Sequence, residues 1–233
     1  MIDISKYFNP YERKARVYPA LLVILPLAIA ISIKIPELYS SLTGFVALFA
    51  GFGGLHLLAQ IGRDAGKKLE PKLYSLWGGI PSVTIFRYRD STIPLPAKQS
   101  IHKKLALSTK TNCPTPEDEI KDPQVVDEIY RTWSDFLRNK ARDTKEFNLL
   151  FKENINFGFR RNVLGLKPAY CLVGILSMLI LGLPLDVTSE IELSVMFLIA
   201  LYTLFFVLLV NEAWVKVPGV EYAKRLVEVD TQS

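Results

Sequence analysis

Two arginines two residues apart, Arg87 and Arg89, lie in a run, Ser82–Asp90, rich in β-branched and aromatic side chains. Read as an extended strand, the run puts Arg87 and Arg89 on one face with Val83 and Ile85, and Phe86 and Tyr88 on the other. Guanidiniums at that spacing can hold a phosphate through paired hydrogen bonds, while neighbouring aromatic rings stack on bases. Lys98, Lys103 and Lys104 extend the positive charge, so these five residues form a candidate site for nucleic acid or phosphate. A surface segment facing acidic lipid headgroups would use the same residues, and the spacing alone leaves both readings open.

A second group of polar residues sits inside an apolar run. His56 and Gln60 are four apart and so share a helix face. Just before them, Ala47-x-x-x-Gly51 and Ala50-x-x-x-Gly54 set small residues at the spacing that lets helices approach closely. Gly51, Gly54, His56 and Gln60 are therefore candidates either for helix packing or for lining a pore. Catalysis finds no support. The chain has two histidines, His56 and His102, and no HExxH, CxxC, GxSxG or phosphate-loop motif. No clustered ligands point to a metal, and nothing calls for a cofactor. Gly51-Phe52-Gly53-Gly54 falls within an apolar run and not after a strand, which removes a dinucleotide reading. The expectation is a protein that is not an enzyme.

The elements that position these residues follow from four apolar stretches, Val17–Ile33, Leu42–Ile61, Ala169–Leu185 and Leu193–Val210. Each matches the roughly 20 residues that a helix needs to cross a bilayer. Charge placement orients them. The links Lys34–Ser41 and Asp186–Glu192 carry Glu37, Asp186, Glu190 and Glu192 against Lys34 alone. Every other flank is basic, including Arg13, Lys14, Arg16, Arg63, Lys67, Lys68, Arg160, Arg161, Lys167 and Lys216. The positive-inside rule then puts both termini and the middle in the cytoplasm of a multi-pass inner-membrane protein.

The expected fold is an α-helical membrane protein with four transmembrane helices in two pairs and a mixed, mainly helical cytoplasmic domain between helices two and three. Its segments are a cytoplasmic N-terminal segment 1–16, helical pair one at 17–61, the regulatory domain 62–167, helical pair two at 168–214 and a tail 215–233. In the middle, Trp77-Gly78-Gly79-Ile80-Pro81 reads as a turn and Thr115-Pro116-Glu117-Asp118-Glu119 as a capped helix start. Asp122-Pro123 restarts a helix on which Val126, Ile129, Tyr130, Trp133, Phe136 and Leu137 form one apolar stripe. Phe147, Leu150 and Phe151 continue into another helix. Arg160 and Arg161 are expected to snorkel to the inner headgroups. The chain has 233 residues and only two cysteines, Cys113 and Cys171, too few for a disulfide framework. The first apolar run ends in Ile33-Lys34-Ile35-Pro36 and lacks the small-residue cleavage site of a signal peptide.

Three motifs taken together carry a family resemblance: Trp77-Gly78-Gly79-x-Pro81-Ser82-Val83, Arg87-Tyr88-Arg89-Asp90-Ser91-Thr92, and Phe157-Gly158-Phe159-Arg160-Arg161-Asn162-x-Leu164-Gly165. With the two-plus-two helix layout, the chain resembles bacterial membrane proteins of anti-phage defence loci, the membrane effectors of the Hailong system. That resemblance implies a homo-oligomeric ion channel, a tetramer, held closed by a short single-stranded DNA oligomer that a partner nucleotidyltransferase makes. Loss of the oligomer would depolarise the membrane and abort infection. The competing expectation is a scaffold or lipid-binding protein of the cell envelope whose basic middle meets headgroups.

Overall fold

The computed structural model describes residues 9–35, 53–183 and 189–230, and every regular element among them is a helix. In chain order these are α1 (Pro10–Lys34), α2 (Gly54–Trp77), α3 (Pro81–Thr84), α4 (Leu95–Thr109), α5 (Pro116–Lys121), α6 (Pro123–Lys140), α7 (Asn148–Gly165), α8 (Lys167–Gly182), α9 (Glu190–Leu209) and α10 (Glu212–Glu228). The chain forms two compact units: the described residues up to Glu70 with Gly158–Val215, and Pro71–Phe157 with the residues from Lys216 onward.

In the first unit, α1 and α9 are each long and apolar enough to cross a membrane. A third crossing is reached if α7 and α8, bent by 56° at Leu166, count as one span. Four crossings were expected. Pro168 has no N–H to continue the ladder from α7, and among the described residues α8, Lys167–Gly182, is too short to qualify alone, while the end of the expected span at 184–185 lies outside them. Of the expected helix two, residues 42–52, including Gly51, lie outside the described residues. From Gly54 the chain follows α2, whose later turns alternate charged and apolar residues.

Apolar helices in lipid must satisfy every backbone group internally, and two prolines in α1 make that harder. Pro26 cannot donate to the carbonyl of Leu22; the hydroxyl of Tyr202 on α9 donates there at 2.8 Å. Pro19 likewise has no N–H for the carbonyl of Ala15, and the side-chain amide of Asn162 donates to it at 2.7 Å. Tyr170 on α8 donates to the Pro19 carbonyl at 2.7 Å and stacks on Phe206 with ring centroids 3.9 Å apart. Lys34 closes one end of the bundle on Glu192 at 2.8 Å. At the other end, Lys167 donates to the carbonyls of Val207 and Val210, which lie at the C-terminus of α9. These pairs set α1 and α8 antiparallel to α9.

Among the described residues of this unit, one close backbone approach lies at α2, while Ala47, Ala50 and Gly51 of the expected small-residue face lie outside the described residues. The approach uses Gly62-x-x-x-Gly66 of α2 against Asn162, Gly165 and Leu166. A Cβ on Gly165 would lie 2.5 Å from the Gly66 nitrogen, and one on Gly66 would lie 2.5 Å from Asn162 Oδ1. Arg160 and Arg161 do not extend to headgroups as expected. Arg160 donates to the Trp214 carbonyl and lies 4.9 Å above that indole, while buried Arg161 pairs with Glu70. Both guanidiniums find partners within the protein because Trp214 and Glu70 lie within their reach.

The second unit is built around α4 and α6. Thr115 and Asp118 form a capping box at the start of α5, and the Asp122 side chain accepts from Val125 N to start α6, as the sequence implies. The stripe on α6 buries Val126, Tyr130, Trp133 and Leu137 against Phe86 and Leu105. Residues read from the sequence as a tail supply Ala223, Leu226, Val227 and Val229 to this same core.

The expected strand over Ser82–Asp90 is absent, and with it the alternating faces assigned to Arg87 and Arg89. Pro81 opens α3, and the chain then winds through turns in which Arg87 N donates to Thr84 O and Asp90 N to Arg87 O, both at 3.0 Å. Val83, Ile85 and Phe86 are all buried, which a two-faced strand would not allow. Gly78 and Gly79, at φ +80° and +140°, make the reversal out of α2 that only glycine adopts freely.

Candidate anion-binding cleft

The turn after α3 is supported by two buried side chains of α4, one an ammonium and one an imidazole. Lys98, on the first turn of α4, is 1% exposed; its ammonium donates to the Arg87 carbonyl at 2.6 Å and to the Asp90 carbonyl. Burial lowers its pKa, while Asp90 and Glu119 oppose that shift. One turn on, His102 is fully buried and makes a 2.9 Å contact with the Phe86 carbonyl through Nε2, among the rings of Phe86, Tyr88, Tyr130 and Trp133. Burial drives its pKa down to about 4, with the Lys98 charge adding to the shift and the Phe86 contact opposing it. It is therefore neutral at pH 7, and Nε2 carries the proton that the carbonyl accepts.

Arg87 is held on its other side by Asp127 of α6. Its Nε and Nη2 donate to the two carboxylate oxygens at 2.9 and 2.5 Å, and Nη1 donates to the Gly78 carbonyl at 2.7 Å. The Asp127 hydrogen bond is the main reason its pKa stands above the usual arginine value. One hydrogen on each Nη remains for a ligand. A cleft of about 190 Å³ opens here, lined by Trp77, Arg87, Arg89, Asp90, Thr92 and Lys216 among others. The Arg89 side chain is 67% exposed and lies 3.9 Å from Glu119, too long for a hydrogen bond. Lys216 is exposed and has no ion-pair partner among the described residues. Asp90 is the opposing carboxylate, with Oδ1 already accepting from Thr92 N at 2.8 Å.

Only part of the five-residue grip expected from the sequence comes together. Arg87 and Arg89 line one cleft. Lys98 is buried beneath it as a structural pin and cannot touch a ligand. Lys104 pairs with the buried Asp230, which Lys140 also holds. Lys103 is exposed and unpaired among the described residues, but does not line the cleft. In the first unit, Gln60 and His56 share a helix face as expected, in contact at 3.3 Å on the exposed side of α2. Gly54 begins that helix.

Three residues of the site escaped the sequence reading. Trp77 reads as the start of a turn and Lys216 as a membrane flank, and Asp127 carries no signal of its own in the sequence. Nothing local in the sequence pairs Asp127 with an arginine forty positions earlier. Comparisons with protein families, curated proteins and solved structures return no match, so the chemistry of the cleft rests on its own residues.

Proposed function

We propose that the protein is a multi-pass effector of the bacterial inner membrane, with four crossings and both termini cytoplasmic. In this reading it acts as an oligomeric ion channel in anti-phage defence, controlled by a short single-stranded nucleic acid or nucleotide on its second unit. The observation that carries the reading is the cleft: exposed Arg89, held only by a 3.9 Å ion pair to Glu119, and Lys216, with no ion-pair partner among the described residues, stand beside a pre-set Arg87 and an indole, in a chain whose other unit has helices apolar enough to cross a membrane. Exposed cations held this loosely are set to meet an anion, and the indole offers a stacking surface for a base. Among the described residues, α1, α8 and α9 pack on one another, with Tyr170 stacked against Phe206. A conduit therefore has to form between copies, which favours an oligomer.

The test is ion flux through vesicles containing the full chain, with and without short single-stranded DNA. The reading expects flux that the oligonucleotide changes, and a change that Arg89→Gln with Lys216→Gln abolishes. Binding should weaken with salt by about 0.7 in log–log slope for each phosphate contact. The envelope-scaffold alternative draws on the internal partners of Lys98 and Lys104. It would be favoured by silent vesicles under every condition, together with binding to acidic lipid that Lys67→Ala and Lys68→Ala remove.

A further inference from the structure

The geometry points to the cleft as a receptor for a terminal phosphomonoester, the dianionic end group of a nucleotide or strand, and not for the phosphodiesters within a strand. This inference rests on the proposed binding of a nucleic acid or nucleotide, and it names the part of the ligand that the cleft takes.

Size is the first argument. Sites that enclose a whole small ligand usually run to about 300–1,000 Å³. At about 190 Å³ the cleft has room for a phosphate and part of its sugar, with the rest of the molecule left outside. A strand passing through would need an open groove with cations repeated along it. Here Lys103, the nearest unpaired lysine on α4, is not part of the lining, and Lys104 is committed to Asp230.

Charge is the second. Arg87, Arg89 and Lys216 face one carboxylate, Asp90, across the same small space. Asp127 already matches the Arg87 charge and Glu119 stands 3.9 Å from Arg89, so Lys216 is the cation of the three without an ion-pair partner among the described residues. A phosphomonoester, with up to two negative charges near neutral pH, is held by these cations more strongly than a diester, which carries one. Arg87 also arrives with its orientation fixed. Asp127 and the Gly78 carbonyl consume three of its N–H groups, leaving one hydrogen on each Nη for two terminal oxygens. A diester has no third free oxygen for Arg89 or Lys216 once two are engaged. Thr92 lends a hydroxyl, and Trp77 offers its indole to the adjoining sugar or base.

The experiment measures binding of the full chain in detergent micelles to thymidine trinucleotides. Their ends carry a free hydroxyl, a phosphate at the 5′ or 3′ position, or the same phosphate blocked as its methyl ester. A phosphate at one end should bind about tenfold more tightly than the hydroxyl and methyl-ester forms near pH 7.5. That advantage should shrink by about pH 5, where the second phosphate proton is back in place. Arg89→Gln with Lys216→Gln should erase the advantage, whereas Arg89→Lys with Lys216→Arg should keep part of it. Thermal midpoints of both variants should match the parent, because neither side chain is buried.

Equal binding of all forms, weakened together by the glutamine pair, would overturn the end-group inference and leave nucleic-acid binding intact. A phosphate preference that survives the glutamine pair would place the end group elsewhere and overturn it as well. No binding of any form, with vesicle flux unchanged by oligonucleotide, would remove both this inference and the proposed function.

Discussion

The hydroxyl of Tyr202 donates to the carbonyl of Leu22, the one that Pro26 leaves without its helical partner. A proline inside an apolar helix thus finds its missing hydrogen bond on another helix. Tyr202→Phe should therefore lower the thermal midpoint of the detergent-solubilised protein by the equivalent of about 1–2 kcal/mol. Restoring the helical donor with Pro26→Ala in the same chain should recover part of the loss. An unchanged midpoint in Tyr202→Phe would mean that the Leu22 carbonyl finds another donor.

The contact between α2 and α7 sets a second expectation. A methyl group on Gly165 meets backbone at 2.5 and 2.8 Å, atoms that cannot step aside. Gly165→Ala should force the helices apart and cost about 3 kcal/mol or more, at or beyond the upper end for an overpacked site. At Gly53 an added Cβ meets nothing within 4 Å, so Gly53→Ala should leave the midpoint unchanged. Protease resistance in detergent would rank the two variants.

His102 gives stability a definite pH dependence. Its folded pKa of about 4 lies below the ordinary 6.5, so between these values the unfolded chain binds the extra proton. The stabilisation is complete above about pH 6.5 and is lost as pH falls toward 4, a total of about 3 kcal/mol. Lys98 is the cation whose charge adds to the shift, and the rings of Tyr88 and Tyr130 face the imidazole. Asp118 and Asp143 are held below the usual carboxylate range by hydrogen bonds from Thr115 and from Lys145 and Glu146, so they titrate beneath this window. Unfolding of His102→Gln in denaturant should flatten across pH 4–6.5. A parent slope retained in that variant would assign the effect to another group.

Topology is testable through single cysteines in a chain lacking Cys113 and Cys171. Ser189, the exposed N-cap of α9 beside the Lys34–Glu192 pair, should label from outside the cell with an impermeant reagent once it is cysteine. Lys103→Cys should label only after the membrane is opened. The reverse pattern would invert the charge-based orientation.

Periodic and local signals in the sequence carried well into the fold. The α6 stripe from Val126 to Leu137, the Thr115 capping box and the reversal at Gly78-Gly79 are each set by neighbours within a few residues. Long-range partners were not legible. Lys98 looks like a ligand-binding cation until Arg87 and Asp90 turn their carbonyls toward it, and Arg161 looks like a headgroup anchor until Glu70 comes within reach. Ser82–Asp90 misled for the same reason. Its β-branched and aromatic residues suit a strand, but Pro81 opens a helix and the side chains enter a core made of other helices. Part of the candidate cleft was visible as Arg87 and Arg89; Lys216 and Trp77 become part of it only through tertiary folding.

Ala223, Leu226, Val227 and Val229 complete a core that begins at Ile80, and all of residues 158–215 must be synthesised between them. At ordinary rates of translation that interval lasts several seconds. The second unit therefore stays unfinished, with its apolar surface open, until the last apolar helix has left the ribosome. A product cut short before α10 would lack both the closing core residues and Lys216. Synthesis itself thus withholds a finished second unit from any incomplete copy, and prematurely terminated chains should be cleared by proteases.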